Sequence, residues 1–231
     1  MAENRVIVAL DYDNEAACLD FVKKVSPSLC RLKIGKEMFT AFGPALVEKL
    51  TDRGFEIFLD LKYHDIPNTV KKAILKAVKL GVWMVNVHCL GGRSMLMSAR
   101  EAIAGMQHPP LLIGVTVLTS MDSAELQSIG FECTPQELVT RLAILAHECQ
   151  LDGVVCSAQE AGLIKNATGS DFLCVTPGIR IALDTKDDQK RIMTPIEAIR
   201  NGADYLVIGR PITKAHDPLL VLNEINTSIG G

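Results

Sequence analysis

The chain has 231 residues, of which 48% are hydrophobic and 22% charged, the balance of a globular domain with a sizeable core. That length suits one barrel or one doubly wound sheet and is short for two α/β domains, so one domain over residues 1–231 is expected. A net charge of -3 gives no general basic footprint, which argues against nucleic acid while leaving a small anionic ligand open. No apolar stretch reaches membrane-spanning length, and the opening Met-Ala-Glu-Asn-Arg lacks the pattern of a secretion signal. The seven cysteines are scattered through core-like segments without a CxxC pair. Reduced thiols in a cytoplasm of bacterial style are therefore expected, rather than a disulfide frame or a zinc site.

Short apolar runs alternate with longer amphipathic ones along the whole chain. The first run, residues 6–11, ends on Asp11 and precedes a helical pattern at 15–25. The second, 31–35, carries Lys33, and a helix over 44–53 starts at Pro44 and stops before Gly54. The third, 55–62, carries Asp60 and Lys62; Asp65 follows in a turn, and a helix runs over 68–80 to Gly81. The fourth, 83–88, ends on His88, with Gly91 and Gly92 as a tight turn before a helix over 92–103. The fifth, 111–119, ends on Thr119 and is followed by a helix over 135–149. The sixth and seventh are 153–157 and 172–178, after which a long polar loop spans 180–191. Thr194 and Pro195 then cap and start a helix over 195–201, and the last run, 205–210, ends on Arg210 before a short helix. Runs this rich in Val, Ile, Leu and Phe fit parallel strands covered on both faces. Eight strands with intervening helices predict a (β/α)8 TIM barrel; the alternative is an open doubly wound sheet, which usually stops at five to seven strands.

A barrel carries its chemistry at the carboxyl ends of its strands. Asp11, Lys33, Asp60, Lys62, His88, Thr119 and Arg210 all fall at or near such ends. Along the third run, alternation puts Glu56, Phe58, Asp60 and Lys62 on one face and Ile57, Leu59 and Leu61 on the other. The first set is expected to face the barrel interior, so that Asp60 and Asp65 bracket Lys62, with Lys33 adjacent. A charge pair at about 4 Å and an effective dielectric near 20 is worth roughly 4 kcal/mol before desolvation, which makes such an array stiff. An Asp-x-Lys alone at a strand end reads as a surface ion pair. Two further acids and a second lysine at neighbouring strand ends, among runs otherwise made of Ile, Leu and Phe, point instead to a site. At the other end of the chain, Gly209 allows close approach of a phosphate and Arg210 can grip it, as barrel loops after strands seven and eight commonly do. The loop over 180–191, with Arg180 and Gln189, is by position a lid over that phosphate and by composition a solvated loop.

The run FLDLKYHDIPNT, preceded by ALD and RLKIGKEMF and followed by VTPGIR and VIGRP, resembles orotidine 5'-phosphate decarboxylase of the bacterial type over essentially the whole chain. The resemblance implies decarboxylation of orotidine 5'-phosphate to UMP, the last step of de novo pyrimidine nucleotide synthesis, with no cofactor and no metal. It implies Lys62 as the proton donor to C6, Asp60 against the departing carboxylate, and Lys33 and Asp65 completing the charged array. It further implies a homodimer in which Asp65, Ile66 and Thr69 reach the partner's site. Asp11 and Lys33 would meet the ribose hydroxyls, Thr119 the pyrimidine ring, and Arg180, Gln189, Gly209 and Arg210 the phosphate and closing loop. Neither nucleic acid nor membrane is an implied partner.

A magnesium-dependent decarboxylase or aldolase acting on a sugar phosphate shares Asp-x-Lys-x-x-Asp but would need an acid in place of Lys33. A non-catalytic nucleotide-phosphate binder would keep Arg210 and Gln189 without needing Asp60 and Lys62 together. His88 reads as a hydrogen-bonded supporting histidine, and His64 as facing away from the site or into a dimer contact. Trp83 and the methionines over 95–97 read as core or interface packing, and Cys89 and Cys156 as small buried hydrophobes.

Overall fold

A computed structural model describes residues 4–180 and 193–230. Among these residues eight parallel strands close into a barrel in sequence order, the expected (β/α)8 architecture, and the open sheet is excluded. The strands are β1 (Val6–Leu10), β2 (Arg31–Gly35), β3 (Ile57–Tyr63), β4 (Met84–His88), β5 (Leu111–Val115), β6 (Gly153–Val155), β7 (Leu173–Thr176) and β8 (Tyr205–Ile208). Closure is made by β1 against β8, with Ile7 opposite Val207. Most strands stop short of the sequence expectation. Asp11 and Thr119 lie beyond β1 and β5 in loops at the barrel mouth, and Arg210 begins the short helix that follows β8.

Helices α1 (Glu15–Val22), α2 (Lys36–Thr51), α3 (Pro67–Lys79), α4 (Gly92–Ile103), α6 (Pro135–Glu148) and α8 (Pro195–Arg200) match the amphipathic runs. Their ends follow local chemistry. Thr134 and Thr194 form capping boxes with Glu137 and Glu197, and a proline occupies the first turn of each helix. Helix α2 begins eight residues before Pro44 because Gly43, at φ 61°, breaks the helix and lets the proline start a second segment. Helices α5 (Ser123–Ser128), α7 (Ala161–Thr168) and α10 (Pro218–Ser228) occupy segments where the apolar pattern set no element. Gly209 leads into α9 (Arg210–Thr213), the expected short helix.

Alternation divides the core into two. Val6, Val8, Leu32, Ile34, Ile57 and Leu59 face the helices within the outer core. Ile7, Ala9, Phe58, Met84, Ile113, Val175, Tyr205 and Val207 fill the barrel interior. The centre is therefore plugged with side chains, and an open site has to form above this layer. Among the described residues no helix is long and apolar enough to cross a membrane.

Candidate active site

The mouth of the barrel holds a row of alternating charges built from three adjacent strands. Lys33 on β2 and Asp60 on β3 lie side by side because β2 pairs with β3 in parallel, Lys33 opposite Phe58 and Gly35 opposite Asp60. The Lys33 Nζ is 3.4 Å from Asp60 Oδ2 and 3.7 Å from Asp11 Oδ1. Gly35 leaves room for it, since a Cβ there would stand 3.1 Å from the ammonium. The Lys62 Nζ donates to Asp60 Oδ1 at 2.6 Å. Within the chain, then, two ammoniums flank one carboxylate. The expected arrangement, in which Asp60 and Asp65 bracket Lys62, is not formed inside the chain. Asp65 is exposed in the turn beyond β3, where its Oδ1 accepts from the Ile66 N–H at 2.6 Å.

Alternation holds along β3: Phe58, Asp60 and Lys62 line the cavity, while Leu59, Leu61 and Tyr63 pack on the outer core. The pairing of β3 with β4 jumps from Leu59–Val85 to Tyr63–Val87, and Lys62 takes φ 50° inside that irregularity. A bulge of this kind re-aims a side chain. Lys62 reaches the same cavity as Asp60 on the face that alternation predicts, with a left-handed backbone at the irregularity.

Asn86 on β4 holds this irregular stretch, and sequence reasoning missed it. It is fully buried. Its Nδ2 donates to Asp60 Oδ1 and its Oδ1 accepts from the Lys62 backbone N–H, each at 2.7 Å. The signal was a single amide inside the otherwise apolar start of Met84–His88, in register with the inward-facing Met84. Burial works to raise the Asp60 pKa, but the charges of Lys33 and Lys62 and the hydrogen bonds from Lys62 and Asn86 outweigh it. The carboxyl therefore titrates below its ordinary value of 3.8.

A cavity of about 200 Å³ opens beside this row. Lys33, Asp60 and Lys62 line its polar wall; Val117, Leu118, Pro177 and Val207 lie among its apolar lining, with Thr119 in the loop beyond β5. It combines a few convergent charges with an otherwise apolar surface, the composition of a small-molecule site. Gly209 lies at the adjoining rim, where a Cβ would be 3.6 Å from Asp11 Oδ2. Arg210 follows on α9, and Arg180 is buried with its backbone N–H donating to the Met193 carbonyl at 3.0 Å. Gln189 and the rest of the loop over 181–192 lie outside the described residues.

Ile66 is 68% exposed and Thr69 is exposed on α3, outside the lining of the cavity. His64 is exposed and stacks on His88, ring centroids 5.4 Å apart. The hydrogen-bonded role expected of His88 is not met at Nδ1, which is buried without a partner among the described residues. Burial pushes the His88 pKa down to about 4, aided by the charges of His64, Lys36 and Lys62. Cys89 and Cys156 are buried as expected, and burial pushes the Cys89 thiol up to about 12. Gly91 and Gly92 form the turn into α4, Met95 is core, and Met97 is partly exposed.

With this geometry in place, the model of the orotidine 5'-phosphate decarboxylase / HUMPS family matches residues 4–225. The chain belongs to that family. It is 60% identical over 230 residues to an orotidine 5'-phosphate decarboxylase from Vibrio cholerae serotype O1 (strain ATCC 39541 / Classical Ogawa 395 / O395), covering 99% of this chain and 100% of the relative. It is also 60% identical over 226 residues to an orotidine 5'-phosphate decarboxylase from Pseudoalteromonas translucida, covering 97% of each. A crystal structure of the Lactobacillus acidophilus orotidine 5'-phosphate decarboxylase superposes with a TM-score of 0.88 at 38% identity, over 99% of this chain and 100% of that one. Family membership joins the charged row to a decarboxylase scaffold, and the eight-stranded barrel is the shared framework.

Proposed function

We propose that this chain decarboxylates orotidine 5'-phosphate to UMP in de novo pyrimidine nucleotide synthesis, without a cofactor. The observation that carries the reading is Asp60 held between two ammoniums on the wall of the cavity, in a chain 60% identical to decarboxylases of that name. Cleavage of the bond from C6 to the carboxylate leaves the electron pair on C6 as carbon dioxide departs. Lys62 then gives a proton from Nζ to C6 and regains one from solvent. Asp60 lies against the substrate carboxylate, so like-charge repulsion is relieved as the bond breaks, while the ammonium of Lys62 stabilises the carbanion. A vinyl carbanion has no internal electron sink, which is why a preformed electrostatic environment is required.

Lys33 and Asp11 meet the ribose hydroxyls, and Thr119 the pyrimidine. Arg180, Gln189, Gly209 and Arg210 serve the phosphate and the closing loop. A magnesium-dependent reaction is disfavoured because Lys33 brings an ammonium where a divalent ion needs oxygen. Asp65, Ile66 and Thr69 act in the partner's site of a cytoplasmic homodimer. Their exposure, away from the cavity of their own chain, supports that assignment.

The test is an absorbance assay of orotidine 5'-phosphate turnover with EDTA present. Undiminished turnover is expected. Loss with EDTA and recovery with magnesium would overturn the cofactor-free reaction, and UMP binding without any turnover would leave only a binding protein. For the shared site, mixing inactive Lys62→Ala and Asp65→Ala subunits is expected to restore partial activity through hybrids with one intact site. Hybrids confirmed to form but inactive would refute it.

A further inference from the structure

Asp60 and the backbone of Lys62 are joined through one carboxamide. Asn86 uses both of its functional ends on them: Nδ2 donates to the Asp60 carboxylate, and Oδ1 accepts from the Lys62 N–H. The assignment of oxygen and nitrogen follows from the network, since a backbone N–H requires an acceptor and a carboxylate requires a donor. The contact falls where the β3–β4 ladder changes register and where Lys62 adopts a left-handed conformation that residues other than glycine rarely take. Such a conformation persists when its surroundings over-determine it. Here the amide accepts the Lys62 N–H from within the irregular part of the ladder.

The two contacts need a donor and an acceptor held apart on one side chain, which a carboxamide supplies. An aspartate has an acceptor for Lys62 but places a second carboxylate against Asp60. A leucine or an alanine leaves both groups without this partner in a buried place, where polar groups are costly to leave unsatisfied. Asn86 also supplies a hydrogen bond that favours the ionised form of Asp60.

We propose that Asn86 is a positioning residue: it locks the left-handed turn at Lys62 to the Asp60 carboxylate, so that ammonium and carboxylate reach the cavity at a fixed separation. This inference rests on the reading of Lys62 as the proton donor, which its test keeps separate. Asn86→Ala is expected to lower kcat by about 100-fold, the scale of a misplaced proton donor. KM and UMP affinity should stay within about threefold, because Asn86 does not line the cavity.

Asn86→Asp keeps the shape and exchanges the donor for charge. Its acid limb of kcat against pH is expected to move upward by one pH unit or more, because Asp60 loses a donor and gains a competing carboxylate. A residue that only packs the barrel would not move that limb. If wild type turns over, Lys62→Ala does not, and Asn86→Ala retains more than a third of kcat, the inference fails while the decarboxylase reading stands. If wild type itself does not turn over the substrate, that reading fails first. Should Asn86→Ala not fold, Asn86→Asp decides: unchanged kcat and an unchanged acid limb overturn the proposal.

Discussion

Arg31 and Lys33 stand two residues apart on β2 and both point into the barrel, yet their surroundings could hardly differ more. Arg31 closes the amino-terminal end. Its guanidinium lies 4.1 Å from the Trp83 ring centroid and 5.3 Å from that of Tyr205. Its Nε donates to Glu56 Oε2 at 2.7 Å, and it also donates to the Asn4 carbonyl. Lys33, at the other end, sits between two carboxylates at the looser distances of 3.4 and 3.7 Å, beside an open cavity. One cation is enclosed by aromatic rings and hydrogen-bond acceptors. The other belongs to a row of charges that hold one another and face space a ligand can fill. The comparison teaches that burying charge in a barrel is not by itself a sign of chemistry; what matters is whether the charges face a void.

The strongest test of this division is Lys62→Ala. Turnover is expected to fall by at least about 1,000-fold, since a general acid and an electrostatic stabiliser are lost together. UMP affinity and the thermal midpoint should change little, as calorimetry would record. A variant that keeps most of its kcat would remove Lys62 from proton transfer.

The complementary change at the other end is Arg31→Ala, expected to cost about 3 kcal/mol of stability through the lost cation–π and charged hydrogen bonds. Its kcat should stay within about twofold, measured well below the new melting temperature. A large fall in kcat with the stability intact would show that the two ends are not separable.

A smaller effect concerns His88, at the rim between the charged row and the exposed turn. The unfolded chain takes up a proton near pH 6.5, whereas the folded ring does so only near 4. The unfolded state therefore binds more protons in that window, and stability is lost as pH falls from about 6.5 to about 4. His88→Gln should make urea midpoints at pH 7 and pH 5 more nearly equal than in wild type. Equal differences in both proteins would refute the depressed titration.

By itself, the order of apolar runs determined the barrel, because strands covered on both faces lose their polar positions and eight of them leave few alternatives. It also determined which polar residues stand at the mouth: Asp11, Lys33, Asp60 and Lys62 interrupt runs where charge is costly, and that cost makes them visible. The helix cap at Thr194 was equally legible, since it depends on neighbours within one turn. Helices α5, α7 and α10 were not read; two of them are short, at six and eight residues.

Only the tertiary structure decided how Lys62 meets Asp60. Strand parity predicts the right face for Lys62, but not the register shift or the left-handed backbone with which it reaches Asp60. The tertiary structure also put Asn86 beneath both, and left Asp65 outside the row of its own chain. These outcomes depend on β3 lying against β4 and on the turn beyond it. Contacts between residues more than twenty positions apart leave no periodic trace in a sequence, whereas burial along a strand does.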